Sequence, residues 1–164
     1  MTAEELRTIE ARAERASAGP WKAFIEGRDQ PLGGGSFLRT GPAGLGPDIE
    51  LPGATVEDYD FIAHARQDLP RLVADVRRVT LSVSSGEMTR DELDAIQTRC
   101  ARASQGPWRA GVSERGRHLI ETGAQERKFT VSGGSVPDCE FIAGAREDIP
   151  GLLEELRRLK FNPS

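Results

Sequence analysis

Residues 55–72 read TVEDYDFIAHARQDLPRL, and residues 135–152 read SVPDCEFIAGAREDIPGL. From Val56 to Val79 the first stretch agrees with the second at 12 of 24 positions, at an offset of 80. Self-similarity at a fixed spacing is the mark of a repeated structural unit. Moving outward, Met1 to Ala23 returns as Met88 to Ala110 at an offset of 87, with 13 of 23 positions identical. The seven residues by which the offsets differ fall around Gly33-Gly34-Gly35 and Gly41-Pro42-Ala43-Gly44 of the first copy. Loops of that composition accept insertions at small cost. The expectation is a tandem duplication, 1–82 and 83–164, of a unit of about 80 residues.

Each copy announces its elements locally. Thr2-Ala3-Glu4-Glu5 and Thr89-Arg90-Asp91-Glu92 are capping boxes, in which the hydroxyl and the carboxylate satisfy reciprocal backbone donors. Leu6, Ile9, Ala13 and Ala16 follow at helical spacing, as do Leu93, Ile96, Cys100 and Ala103. Gly19-Pro20 and Gly106-Pro107 are expected to stop these helices, the glycine in a left-handed cap. Strand-like runs come next: 21–26, 37–40 and 49–51, then 108–113, 119–122 and 128–132, with a hairpin turn at Glu114-Arg115-Gly116-Arg117. Thr55-Val56-Glu57-Asp58 and Ser135-Val136-Pro137-Asp138 open a further helix in each copy. Asp68-Leu69-Pro70 and Asp148-Ile149-Pro150 are expected to break it and cap a new one. The reading is αβββαα twice, an α+β fold with antiparallel sheet and helices packed on it.

A unit this small and this poor in aromatics is marginal alone. Joined by Ser82-Val83-Ser84-Ser85-Gly86, two copies are expected to pack as one body about a pseudo-twofold axis, an isologous contact within one chain.

Composition narrows the function classes. Net charge is −4, with −3 on residues 1–82 and −1 on 83–164, which argues against nucleic acid. No apolar run approaches the roughly 20 residues of a membrane span, and neither a membrane span nor a signal peptide is expected. Two cysteines make no disulfide framework, so the cytoplasm is the expected setting. His64, Cys100, His118 and Cys139 fall in no metal or nucleophile pattern, and no metal or cofactor is expected.

The residues that recur are the candidates for a site. Trp21 and Trp108 are core anchors or stacking walls for a planar ligand. Arg12 with Arg99, and Arg66 with Arg146, pair internal acids or hold a phosphate or carboxylate. Asp58 with Asp138, and Asp60 with Glu140, serve capping or, alternatively, acid–base chemistry.

The string Gly-Pro-Trp followed by Asp58 to Leu72, and again by Asp138 to Leu152, resembles small proteins of actinobacteria and their phages, in particular the Ead-like phage early proteins. The resemblance covers both halves and implies a cytoplasmic, prophage-derived protein. It brings no catalytic residues with it. The leading expectation is therefore a non-enzymatic module binding a protein or a small anionic ligand. The alternatives are a binder of nucleotides or cyclic dinucleotides, which a doubled Trp and Arg set would suit, and a hydrolase or transferase working through the recurrent acids.

Overall fold

The computed structural model describes residues 1–31, 33–81, 88–123 and 127–161. The linker 82–86 lies outside them. Helix α1 spans Ala3–Arg15, α2 Val56–Thr80, α3 Arg90–Arg102 and α4 Val136–Phe161. Strands β1 (Lys22–Phe24), β2 (Phe37–Arg39) and β3 (Asp48–Glu50) form one antiparallel sheet, in that order. Strands β4 (Trp108–Val112), β5 (His118–Thr122) and β6 (Arg127–Thr130) form another. The architecture is mixed α and β, with the helices packed on the sheets.

Local chemistry sets the helix starts. Thr2, Thr55 and Thr89 each accept from the backbone nitrogen of the acid three residues on, and that acid accepts in return. Ser135 and Asp138 do the same for α4. The expected turn after β4 is present too, with the Ser113 nitrogen donating to the Arg117 carbonyl at 2.8 Å.

Two expectations are corrected. The helices do not break at Asp68-Leu69-Pro70 or Asp148-Ile149-Pro150: α2 and α4 run straight through, with Pro70 and Pro150 inside. The strands and α-helices therefore run αβββα in each half of the chain. The buried stripe Phe61, Ile62, Ala65, Leu69, Leu72, Val73 and Val76 keeps one helical face against the core across the proline. A proline inside a helix costs about 3 kcal/mol, and burying even two or three such side chains, at about 1.5–3 kcal/mol each, offsets it. Asp68 and Asp148 consequently cap nothing and meet arginines instead.

The second correction concerns the ends of α1 and α3. Both stop in extended backbone, at Ala16 and Ala103, and neither Gly19 nor Gly106 takes a positive φ. These glycines precede cis prolines. Their missing side chain makes room: an added Cβ would lie 3.3 Å from Arg66 Cγ at Gly19 and 3.2 Å from Arg146 Cγ at Gly106.

The long helices α2 and α4 pack on each other, and α1 and α3 each contact both. Buried side chains from both halves form a single apolar cluster. The sheets also touch. Glu50 and Ser132 exchange backbone hydrogen bonds at 2.9 Å, and the Thr130 nitrogen donates to the Pro52 carbonyl at 3.0 Å. Gly133 makes this approach feasible, since its φ is +81° and an added Cβ would sit 2.3 Å from the Asp48 carbonyl oxygen.

Candidate functional site

The recurrent candidates gather into two matched knots. Where α1 ends, Ser17 donates from its nitrogen and its hydroxyl to Asp138, at 2.6 and 2.9 Å. The Ser17 carbonyl accepts from Trp21 Nε1 at 3.1 Å and from Arg66 Nε at 3.0 Å. Where α3 ends, Ser104 donates to Asp58 at 2.7 and 2.8 Å. Its carbonyl accepts from Trp108 Nε1 at 3.1 Å and Arg146 Nε at 2.9 Å. Each knot therefore ties residues of one half to the N-terminus of a long helix in the other.

Aromatic packing follows the same crossing. Trp21 meets Phe141 edge-on at 5.4 Å between centroids, and Trp108 meets Phe61 at 5.6 Å. Arg66 lies over the Phe141 ring and Arg146 over the Phe61 ring, each at 5.7 Å. Burial lowers the Arg66 pKa from its ordinary value, with nearby Asp138 opposing. Both tryptophans are under 5% exposed, at 2% and 4%, so neither offers a face to a stacking ligand.

The remaining candidates also have internal partners. Arg12 pairs with Asp148, and Arg99 with Asp68 at 2.6 Å, each bridging the halves. Burial raises the Asp148 pKa, with Arg12 opposing. Asp60 takes both terminal nitrogens of Arg28 at 2.8 Å, and Glu140 takes Arg15 at 3.1 Å. Asp58 and Asp138 are each 1% exposed, and they serve the capping box and the opposite serine together. They are structural pins.

Sequence reasoning passed over Ser17 and Ser104, although both stand in the recurrent block; a small hydroxyl beside a helix end reads as a local cap. It also passed over Asp75 and Glu155. Asp75 accepts from the Met88 nitrogen at 2.6 Å and pairs with Arg78. Glu155, its mate at the same offset, lies 3.0 Å from the Met1 nitrogen and pairs with Arg158. The pair differs in residue type, so a search for identical positions misses it.

The cysteines are buried, both at 2% exposure. Desolvation pushes each thiol pKa up to about 11. Cys100 and Cys139 are thus expected to resist a thiol reagent in the native protein near neutral pH and to react on unfolding. Fast labelling of either thiol without denaturant would contradict this packing.

What stays open are surface clefts. One, of about 600 Å³, lies against the second sheet beside Gly106, Arg109, Glu121 and Lys128. Another, of about 590 Å³, lies between α3 and α4 beside Asp94, Glu154 and Arg157. A third, of about 380 Å³, opens between α1 and α4, with Glu4, Glu5, Arg12, Glu147 and Asp148 among its lining. There Arg12 is spent on Asp148, while Glu4, Glu5 and Glu147 enter no ion pair among the described residues. Met1, whose ammonium pairs with Glu155, also lines the cleft, and carboxylates outnumber cations there.

Compared with known proteins, the chain matches no family model, no curated protein and no solved structure.

Proposed function

We propose that the chain is a tandem duplicate, 1–82 and 83–164, clasped about a pseudo-twofold axis into one body, and that it acts in the cytoplasm as a non-enzymatic binding module for a protein partner. The matched Ser17–Asp138 and Ser104–Asp58 knots support the clasp. The resemblance to Ead-like phage early proteins agrees with the setting, and no helix among the described residues is long and apolar enough to cross a membrane.

One observation carries the binding reading. Arg12, Arg99, Asp58, Asp138 and both tryptophans make contacts between the two halves, whereas Glu4, Glu5 and Glu147 line the cleft between α1 and α4 and enter no ion pair among the described residues. A basic segment of a partner protein suits such a surface, because complementary charge steers encounter and sets orientation. The nucleotide alternative needs open tryptophan faces, and these are buried. The acid–base alternative needs Asp60 or Glu140 available, and both are engaged by arginines.

Nitrogen-15 NMR titration tests the proposal with short basic peptides, short acidic peptides and nucleotides, cyclic dinucleotides included. Basic peptides are expected to shift amides at 2–12 and 147–151, more weakly as salt is raised. Nucleotide-induced shifts around Arg66 and Arg146, or no response to any basic peptide, would overturn it.

A further inference from the structure

We infer that the cleft between α1 and α4 receives an arginine side chain from the protein partner, with Glu5 as the carboxylate that meets its guanidinium. The inference rests on the binding-module reading above and names the group that the module takes.

The chain carries its own template for this contact. The repeat offsets place Gly151 opposite Arg71, Glu5 opposite Glu92 and Met1 opposite Met88. In the first position, Arg71 Nη2 donates to Glu92 Oε1 at 2.5 Å. The other oxygen of Glu92 is occupied by its capping box, accepting from the Thr89 nitrogen at 2.8 Å. Glu5 has the same arrangement on its capping side, where Oε2 accepts from the Thr2 nitrogen at 2.6 Å. Thr2 is the hydrogen-bond partner of Glu5, through its nitrogen and its hydroxyl, and no arginine or lysine among the described residues pairs with Glu5. Where an arginine stem would rise from α4 stands Gly151, and a cleft of about 380 Å³ opens there. Glu5 and Gly151 both line this opening, which has room for an arginine side chain, and the counterpart of Glu5 holds an arginine.

Three further details agree. Glu147 replaces Gln67, so the cleft side has one more negative charge as well as one fewer positive. Met1 and Ile9 line the cleft, giving the methylenes of an arginine stem an apolar wall. Gly151 is not demanded by packing either. A Cβ there would meet only Met1 Cε at 3.6 Å, an ordinary contact, and its φ is not in the left-handed region. Glycine inside a helix costs stability relative to alanine, so the open space beside Gly151 comes at the expense of helix stability.

The experiment uses the full chain and acetyl-Ala-Arg-Ala-amide, with its lysine and citrulline versions as probes, followed by NMR. The arginine peptide is expected to bind at 2–12 and 147–151 about fivefold more tightly than the lysine peptide, since a guanidinium is more weakly hydrated than an ammonium and gives up less on leaving water. The citrulline peptide is expected not to bind. Glu5→Gln preserves the capping box, which accepts Gln as readily as Glu, and is expected to weaken the arginine peptide by about fivefold, the scale of one partly exposed charge pair. Gly151→Ala should raise the melting temperature and keep binding. Gly151→Arg should raise it and abolish binding, by supplying the guanidinium in cis. Arg71→Ala should create a second site, seen as shifts around Thr89–Glu92.

Equal binding of the arginine and lysine peptides in this cleft would overturn the inference and leave the binding module standing. So would retained binding in Gly151→Arg. Failure of all basic peptides would remove both readings.

Discussion

Trp21→Ala is expected to cost about 3–5 kcal/mol, the range for deleting a large buried aromatic, and to melt both halves of the molecule together. Trp21 is 2% exposed and packs edge-on against Phe141, which belongs to α4 of the other half. Its indole nitrogen also satisfies the Ser17 carbonyl, beside the serine groups that bind Asp138. Removing the ring therefore empties space at the joint and loosens the knot that ties α1 to α4. A domain of ordinary stability, about 5–15 kcal/mol, loses a large share of it. In this variant Trp108 is the remaining tryptophan, so its fluorescence reports on the second half alone. Its transition should coincide with the loss of helix by circular dichroism, about 10 °C below that of the parent protein. A second half that melts at its original temperature would show that the halves do not depend on each other.

Asp58→Ala and Asp138→Ala are expected to cost about 2–4 kcal/mol each. A lost helix cap contributes about 1 kcal/mol. A buried donor left without its acceptor adds about 1–3 kcal/mol. Asp58 does both jobs, accepting from Thr55 at the start of α2 and from the nitrogen and hydroxyl of Ser104 at the end of α3. Asp138 repeats the pattern with Ser135 and Ser17. Urea unfolding should show lower midpoints with an unchanged slope, and Ser104→Ala should cost less because it keeps the backbone donor. Losses no larger than that of an isolated cap, seen in Asp58→Ala and Asp138→Ala alike, would mean that the contacts across the halves contribute nothing.

The elements were legible because their signals are local. A capping box closes over three residues, so Thr2 with Glu5, or Thr55 with Asp58, declares a helix start whatever the rest of the chain does. The strands and the turn before Arg117 were readable for the same reason. Local reasoning failed at Asp68-Leu69-Pro70, where proline weighs against a helix that the buried face nevertheless carries through. The same holds for the candidate site. Residue type and recurrence picked out Trp21, Arg66 and Asp138, yet their roles turned on partners too distant to read.

By itself the sequence determined where the helices and strands begin, because capping, turn chemistry and apolar periodicity act between near neighbours. It also determined which positions recur, and hence that Gly151 stands where Arg71 would be expected. Only the tertiary structure decided that Ser17 reaches Asp138, 121 residues away, and that Arg12 reaches Asp148, 136 residues away. It alone turned the missing arginine into an open cleft beside Glu5. Contacts at such separations depend on how whole faces pack, and burial of the shared core sets that packing.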